Sequence, residues 1–372
     1  MTYLDNAATT NKKPAAVYKA VNKALKDLSA NPGRGAYNLS LCAAKKIYET
    51  REEISEFLNF DSPERVVFAM NATHALNLAI KGIIRDKCHV LLSDLEHNSV
   101  LRPIHALKES IGIEYSFFNS YSDDLEREIN RNIRPDTKAI VSTLASNVTG
   151  KEISLETLSK IAREQNIKLI VDASQYIGHK KIDLKKTPCT ALCAPAHKAL
   201  FGIMGLGFAV FSEKIEILTI MEGGSGSTSK SLYMPPSLPE RLEAGTMPLP
   251  AIAALSEGIK YIRKIGIPEI EKKSKKLTDL CSEAILSVPG NVIYGSNLGI
   301  VAFNMKNWSS EALCERLNNF DIYVRGGLHC APIAHQALDT AERGIVRVSL
   351  SYFSEEREIY KLSKALKKIS KN

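Results

Sequence analysis

The sequence predicts an α/β protein, with a large domain built on a seven-stranded, mostly parallel sheet and a smaller α+β domain towards the C-terminus. Between Val66 and Phe211, short apolar runs alternate with amphipathic helical patterns. This alternation is typical of a parallel sheet covered by helices on both faces. After Phe211 it stops, and a polar segment rich in Gly and Ser follows. We therefore expect a large domain of residues 14–259 and a small domain of residues 1–13 and 260–372.

Seven short apolar runs are the predicted strands of the large sheet. They are residues 66–69, 90–92, 113–118, 139–144, 169–172, 191–194 and 207–211. Apolar positions three and four residues apart predict helices. These helices are 13–28, 43–57, 74–84, one that starts near Glu96, and 251–265. The smaller domain adds strands near Val292, at 300–304 and at 346–350.

Polar side chains follow five of the predicted strands. They are Thr73, His97, Asn147, Asp172 with Gln175, and His197 with Lys198. In open parallel sheets, ligands bind outside the carboxyl ends of the strands. Each residue alone has a structural explanation, since an Asp at a strand end is often a helix cap and a lone His is usually a satisfied structural residue. Their shared position indicates a functional site at this edge.

Lys198 lies in an unusual environment for a lysine. Its neighbours are small or apolar, and a glycine-rich connection follows it before the next apolar strand. A desolvated lysine has a lowered pKa and is the residue type that forms Schiff bases with carbonyl compounds. The alternative is a lysine that snorkels to solvent from a buried loop.

Two further loops carry candidate residues. The glycine-hinged segment 323–332 places Cys330 beside a histidine. An exposed cysteine with basic neighbours can act as a nucleophile, although an inert loop cysteine is the alternative. The loop 31–37, which proline and glycine keep out of regular structure, carries Arg34. This arginine could contact an anion or substrate, or it could lie in a plain surface turn.

Composition argues against several classes of protein. No apolar run approaches the roughly 20 residues of a membrane helix, and the N-terminal residues show no signal-peptide pattern. The net charge of +8 is spread along the chain, and its densest runs lie on amphipathic helical patterns. We interpret these runs as solvated helix faces and not as a nucleic-acid surface, with an acidic partner protein as an alternative use.

The seven cysteines do not form a disulfide framework, because their number is odd and their spacing irregular. Such usage favours a reducing, cytoplasmic location. Cys189 and Cys193 are four residues apart, but no second cysteine pair completes a zinc site. We therefore predict no metal site.

The candidate residues suit pyridoxal 5'-phosphate acting on an amino acid. A Schiff-base lysine needs a carbonyl partner, and Asp172 at a strand end could hold a pyridine nitrogen. A helix that starts at Thr73 would attract a phosphate, and His97 could stack on the ring. Arg347, on a predicted strand of the second domain, could clamp a carboxylate with two hydrogen bonds. The additional loop cysteine indicates that the side chain of the substrate is also attacked.

Eight segments of the chain, in this order, resemble the cysteine desulfurases of the class V aminotransferase group, which belongs to the fold type I pyridoxal-phosphate enzymes. They are Tyr3-Leu-Asp-Asn-Ala-Ala-Thr-Thr10, Asn71-Ala-Thr73, Glu96-His97, residues 146–150, residues 172–175, His197-Lys198, residues 241–246 and residues 325–331. The resemblance spans nearly the whole chain. The short cysteine-bearing loop is more similar to the Suf-type branch and its selenocysteine-lyase relatives than to the Isc-type branch.

The resemblance implies how the cofactor is held. Lys198 would bind it covalently and later move the α-proton. Asp172 would pair with the pyridine nitrogen, Gln175 would contact the ring hydroxyl, and His97 would stack on the ring. The implied phosphate contacts are Ala72, Thr73 and His197, joined by Thr246 from the second subunit of a homodimer.

The resemblance also implies a substrate and a reaction. Asn147 and Arg347 would bind the carboxylate of L-cysteine, with Arg34 as a further substrate contact. The thiolate of Cys330 would attack the substrate sulfur, which leaves a persulfide on the enzyme and releases alanine. A sulfur-acceptor protein is then an expected partner, whereas nucleic acid and membrane are not.

Three positions depart from the pattern of the family, and three competing functions stay open. Pro195 stands where a Ser or Thr usually reaches the phosphate, Ile203 replaces a proline, and Tyr37 replaces a His in the early loop. The first competing function is that of a selenocysteine lyase, which shares every motif above. The second is that of a different pyridoxal-phosphate transferase or lyase in which Cys330 is idle. The third is that of a non-catalytic binding protein on the same fold.

Overall fold

The computed structural model describes residues 1–33, 35–212 and 215–371 of the chain. Within these residues, twelve strands and eleven α-helices form. The strands are β1 Thr2–Tyr3, β2 Val66–Ala69, β3 His89–Ser93, β4 Glu114–Phe118, β5 Thr137–Thr143, β6 Lys168–Asp172, β7 Ala191–Pro195, β8 Gly207–Phe211, β9 Asn291–Asn297, β10 Ile300–Met305, β11 Ile322–Tyr323 and β12 Val346–Ser349. The helices are α1 Ala15–Asp27, α2 Asn38–Phe57, α3 Ala72–Ile83, α4 Asn98–Ile111, α5 Leu125–Asn132, α6 Leu155–Glu164, α7 Leu249–Ile265, α8 Ile267–Leu286, α9 Ser310–Asn318, α10 Pro332–Ala337 and α11 Glu356–Ile369.

The predicted seven-stranded sheet is confirmed. Its strand order is β2-β8-β7-β6-β5-β3-β4, and β8 alone runs antiparallel to its neighbours. Every residue of β2, β3, β7 and β8 is buried. Strands that are covered on both faces read as continuous apolar runs, which is why the sequence revealed them.

Two apolar clusters cover the two faces of this sheet. Leu169 and Val171 of β6 belong to one cluster, which includes side chains of α2, α6 and α7. Ile170 of β6 belongs to the other, which includes side chains of α3 and α4. Successive residues of a strand point to opposite faces, so one short strand contributes to both clusters.

A third apolar cluster lies in the C-terminal part of the chain. It includes side chains of β10, β12, α8, α9 and α11. The sheet here is antiparallel with the order β12-β10-β9, at the predicted strand positions. β1 pairs in parallel with β11, so the N-terminal segment packs on this part of the chain.

The start of α2 differs from the prediction. The helix begins at Asn38 and not near Ala43. Leu39 and Leu41 in its first turns are exposed. They therefore do not follow the apolar spacing that marks the rest of the helix.

A buried ion pair ties residues 241–246 to the large sheet. Nη1 and Nη2 of Arg51 in α2 donate to the two carboxylate oxygens of Glu243 at 2.9 and 2.7 Å, and both side chains are 6% exposed. Glu243 also accepts the backbone N–H of Phe68 in β2 at 2.6 Å. The carboxylate is therefore paired and hydrogen-bonded, as a buried charge must be.

Removal of this ion pair should destabilise the fold. Arg51→Met would leave the Glu243 carboxylate buried without its cation, and we expect a loss of about 3–5 kcal/mol in the free energy of unfolding. Urea denaturation followed by circular dichroism measures it. Arg263→Met is the matched control, because Arg263 pairs with Glu56 at the surface, where the side chains are 49% and 60% exposed. This control should lose less than about 1 kcal/mol, and an equal loss in both variants would contradict the prediction.

Candidate active site

Eight of the twelve candidate residues line one cleft at the carboxyl ends of the strands. The cleft has an empty volume of about 540 Å³. The loops after β2, β3, β5, β6 and β7 each contribute to it. The eight residues are Ala72, Thr73, His97, Asn147, Asp172, Gln175, His197 and Lys198.

The connection that carries Lys198 is closed and tightly packed. The N–H of Ala196 donates to the carbonyl of Leu206 at 3.0 Å, which brings the two ends of the connection together. The backbone of α7 lies directly on it, because a Cβ at Gly258 would lie 2.0 Å from the carbonyl oxygen of Leu200. Only glycine fits at that position, and the close packing fixes the backbone of the connection that carries the lysine.

Burial lowers the pKa of Lys198 to about 8. The charge of Asp172 opposes this shift, whereas the guanidinium groups of Arg347 and Arg325 add to it. About one-tenth of a lysine with this pKa is neutral at pH 7, which is far more than for a lysine with the ordinary pKa of about 10.4. The neutral amine is the form that attacks a carbonyl.

Asp172 and Gln175 are positioned by the backbone around them. Asp172 ends β6 and is 3% exposed, and its Oδ1 accepts the N–H of Ser174 at 2.9 Å. The Nε2 of Gln175 donates to the carbonyl of Ala7 at 3.0 Å. The N-terminal segment therefore fixes one side of the cleft.

The two histidines of the cleft are neutral at neutral pH. Burial lowers the pKa of His97 to about 4 against the opposing charge of Asp172, and burial lowers the pKa of His197 to about 4 as well. The Nδ1 of His97 accepts the N–H of Ser99 at 3.1 Å, which caps α4 and leaves the ring proton on Nε2. The Nδ1 of His197 is buried without a hydrogen-bond partner.

The N-terminus of α3 forms another wall of the cleft. Asn71 caps the helix by accepting the N–H of His74 at 2.9 Å. Ala72 and Thr73 begin the helix and line the cleft. The N–H groups of a first helical turn have no intrahelical partner and attract anions.

The cleft fits pyridoxal 5'-phosphate on the chemistry of its side chains. It offers a lysine of lowered pKa, a buried carboxylate and neutral imidazole rings. The unpartnered Nδ1 of His197 and the N-terminus of α3 are suitable contacts for a phosphate. Pro195 lines the cleft without a hydroxyl group, so phosphate contacts would come from these other groups.

The loop of Cys330 is attached to residues at the cleft by two hydrogen bonds. The carbonyl of Cys330 accepts the N–H of Asn98 at 2.7 Å. The carbonyl of His329 accepts from Nδ2 of Asn147 at 2.8 Å. Cys330 is a free, exposed cysteine and does not itself line the cleft, so these two bonds bring its backbone beside the cleft.

Arg347 is closed off from the cleft that the other candidates line. It is 2% exposed. Its Nη2 donates to Oδ1 of Asp5 at 2.7 Å, and its Nη1 donates to the carbonyl of Asn147 at 2.8 Å. The Nε of Arg347 is buried without a partner. Sequence reasoning missed Asp5, because this contact depends on the pairing of the N-terminal segment with Ser349.

Glu96 is a second residue that sequence reasoning left without a role. It is fully buried, and burial raises its pKa to about 8. Its Oε1 accepts the N–H of Thr143 at 2.7 Å and the hydroxyl of Ser93. Glu96 thus joins the ends of β3 and β5 beneath the cleft.

Two candidates lie elsewhere. Thr246 is exposed and lines a groove beside Asn31, whose Nδ2 donates to its hydroxyl at 3.5 Å. It does not line the cleft of its own chain. Arg34 lies outside the described residues.

Comparison with known proteins identifies the family. The sequence model of the Aminotransferase class-V family matches residues 2–362. The chain belongs to this family. The resemblance that the motifs indicated is therefore confirmed.

The similar proteins are cysteine desulfurases by name. A probable cysteine desulfurase of Methanothermobacter thermautotrophicus is 31% identical, over 99% of this chain and 94% of that protein. A probable cysteine desulfurase of Pyrococcus abyssi is 30% identical, over 96% and 91%. The apo structure of the cysteine desulfurase from Thermococcus onnurineus NA1 is 27% identical and superposes with a TM-score of 0.90, covering 99% of this chain and 94% of that one. The fold type I architecture is thus confirmed.

The described residues contain neither a membrane-spanning helix nor a cluster of metal-ligating side chains. No helix in residues 1–33, 35–212 and 215–371 is long and apolar enough to cross a membrane. The same residues contain no group of three or more His, Cys, Asp or Glu side chains that could hold a metal ion.

The lowered pKa of Lys198 predicts the pH at which its amine becomes reactive. Because only the neutral amine is acylated, acetylation of Lys198 in the cofactor-free protein should rise as the pH passes through about 8 and level off above it. Trace labelling with acetic anhydride and mass spectrometry measures this, with the exposed Lys45 as internal reference. A lysine with the ordinary pKa of about 10.4 would still gain reactivity above that plateau, and such a profile would contradict the prediction.

Proposed function

We propose that the chain is a pyridoxal-phosphate-dependent cysteine desulfurase, which converts L-cysteine to L-alanine and retains the sulfur as a persulfide on Cys330. One observation carries the proposal. The loop of Cys330 is hydrogen-bonded to Asn98 and Asn147 beside the cleft that contains Lys198. This attachment supports a single site in which Cys330 is the thiol nucleophile and Lys198 is the Schiff-base lysine. The names of relatives that are 27–31% identical over 99% of the chain support the same assignment.

Pyridoxal 5'-phosphate would supply an electron sink for chemistry at the α-carbon of the substrate. Lys198 would hold it covalently, and Asp172 would hold the ring nitrogen. The neutral ring of His97 is suited to stacking, because it adds no charge against the cofactor ring. The remaining proposed contacts are Gln175 at the ring hydroxyl and Ala72, Thr73 and His197 at the phosphate.

Lys198 and Cys330 would perform the proton and sulfur transfers. With a pKa of about 8, the amine of Lys198 can both take a proton from the α-carbon and return one. The Sγ of Cys330 would form a bond to the sulfur of L-cysteine while the carbon–sulfur bond of the substrate breaks. The electron pair of that bond stays with the carbon, which takes a proton to give alanine.

Asn147 and Arg347 would bind the substrate carboxylate, with Arg34 as a further contact. In the structure, the amide of Asn147 is used by His329, and Arg347 is paired with Asp5. Substrate binding would thus exchange partners at these two residues.

The proposal includes a homodimer and a sulfur-acceptor protein. Thr246 does not line the cleft of its own chain, so it could reach a phosphate only in the cleft of a second copy. Cys330 is exposed, which would leave a persulfide on its sulfur open to an acceptor.

Alanine release from L-cysteine in the presence of a reductant tests the proposal. The wild type should release alanine, and Cys330→Ala should lose roughly a hundredfold or more in rate, equivalent to about 2.7 kcal/mol of transition-state stabilisation. Cys42→Ala is the matched control, because Cys42 is an exposed free cysteine on α2 and lies outside the loop. This control should retain the wild-type rate.

Three further results would each favour a competing function. Full activity of Cys330→Ala would favour a different transferase or lyase in which this cysteine is idle. No alanine from cofactor-loaded wild type would make the substrate assignment wrong, and L-selenocysteine is then the next compound to assay. Absence of the visible absorption of bound cofactor would favour a non-catalytic binding protein.

A further inference from the structure

Asn147 connects the proposed carboxylate site with the loop of Cys330. Its Nδ2 donates to the carbonyl of His329 at 2.8 Å, and its own carbonyl accepts from Nη1 of Arg347 at 2.8 Å. Asn147 is 9% exposed, so these contacts are largely shielded from bulk water. The amide proposed to bind the substrate is therefore already bonded to the residue before Cys330.

Arg347 cannot receive a carboxylate in the described arrangement. The side chain is 2% exposed, and one end of the guanidinium is paired with Asp5 at 2.7 Å. Its Nε is buried without a partner. His329 is also buried, with 4% of its surface exposed. Its Nε2 lies 3.3 Å from the carbonyl of Arg325, and the backbone of Arg325 is hydrogen-bonded to that of Arg347. A carboxylate that is to contact both Asn147 and Arg347 must therefore displace a neighbour, and His329 is the neighbour bonded to the same amide.

The loop holds a backbone conformation that its own residues disfavour. His329 and Cys330 have φ values of 51° and 57°, which lie in the left-handed region that residues other than glycine rarely adopt. Such a conformation persists only where the surroundings fix it. Asn147 donates to the carbonyl of His329, and the N–H of Asn98 donates to the carbonyl of Cys330. These two hydrogen bonds hold the two residues in this conformation.

We propose that Asn147 is a positioning residue for Cys330. In the substrate-free protein its amide holds the loop through the carbonyl of His329, and a substrate carboxylate that takes over this amide releases the loop. Release would let the backbone at Cys330 leave its left-handed conformation when a substrate is present, and the thiol would move with it. The identity of the carboxylate rests on the proposed function, whereas the bond from Asn147 to the loop does not.

The first test uses the cofactor-loaded protein without substrate. Asn147→Asp keeps the shape of the side chain but removes the donor, and Asn147→Ala removes both. In both variants, hydrogen exchange of residues 325–331 and of Asn98, followed by mass spectrometry, should be about fivefold faster than in the wild type, as expected for one lost hydrogen bond. The Asn98 amide is informative because its partner is the carbonyl of Cys330.

A matched control separates release of the loop from general loosening. Nδ2 of Asn291 donates to the carbonyl of Ile285, also at 2.8 Å, at the turn between α8 and β9. Asn291→Ala loses the same kind of bond elsewhere and should leave exchange of residues 325–331 and of Asn98 unchanged. Wild-type exchange rates in Asn147→Asp and Asn147→Ala, or equal acceleration in the control, would overturn the proposal.

The second test adds L-alanine, which carries the carboxylate but no sulfur. A change in the visible spectrum of the cofactor shows that L-alanine is bound. Bound L-alanine should accelerate hydrogen exchange of residues 325–331 in the wild type. It should give no further acceleration in Asn147→Asp. If exchange in the wild type is unchanged or slower with bound L-alanine, the carboxylate does not displace the carbonyl of His329 from the amide of Asn147, and this part of the proposal is wrong. No spectral change would count against the proposed function, while the ligand-free comparison would still decide whether Asn147 holds the loop.

Discussion

Desolvation of Lys198 is the constraint on which the rest of the site depends. The amine sits in a closed connection pressed against α7, and burial is the main cause of its lowered pKa. The same exclusion of water keeps His97 and His197 neutral. The negative charge of Asp172 lies nearby and raises the pKa of Lys198 and of His97, whereas burial lowers both. One physical cause thus supplies a reactive amine and uncharged rings side by side.

The site depends equally on contacts between the two ends of the chain. Asp5 near the N-terminus pairs with Arg347 near the C-terminus, and Arg347 donates to Asn147 after β5. Asn147 in turn donates to His329. These bonds join the N-terminal segment, the large sheet and the cysteine loop into one network. A change at any member alters what the others can bind, because the side chains of Asn147, His329 and Arg347 are buried and would lose a partner that water does not readily replace.

The sequence predicted this fold well where burial dictated residue type. The fully buried strands of the large sheet are apolar runs because both of their faces are covered, and the residues after the parallel strands meet because those strands end at one edge. The early start of α2 could not be predicted from the apolar spacing, since Leu39 and Leu41 in its first turns are exposed. The partner of Arg347 could not be read either. That contact requires residue 5 to lie beside residue 349, a pairing that no local pattern encodes. The sequence motifs identified Asn147 as a candidate site residue, but they did not indicate its hydrogen bond to the carbonyl of His329 in the loop of Cys330.

The proposed function requires two kinds of chemistry in opposite environments. Proton transfer at carbon would benefit from a lysine that is shielded from bulk water, because a fully solvated amine stays protonated near neutral pH. Sulfur delivery has the opposite requirement, since a persulfide that is to be passed on must be accessible. Lys198 is therefore held by a packed connection, whereas Cys330 is exposed on a loop whose carbonyl groups at residues 329 and 330 accept hydrogen bonds from Asn147 and Asn98. Fixing the loop through carbonyl groups leaves the thiol free. In the proposed arrangement, the position of the thiol also depends on Asn147, a residue that lines the cleft. Occupancy of the cleft would then affect the nucleophile without a contact to its sulfur.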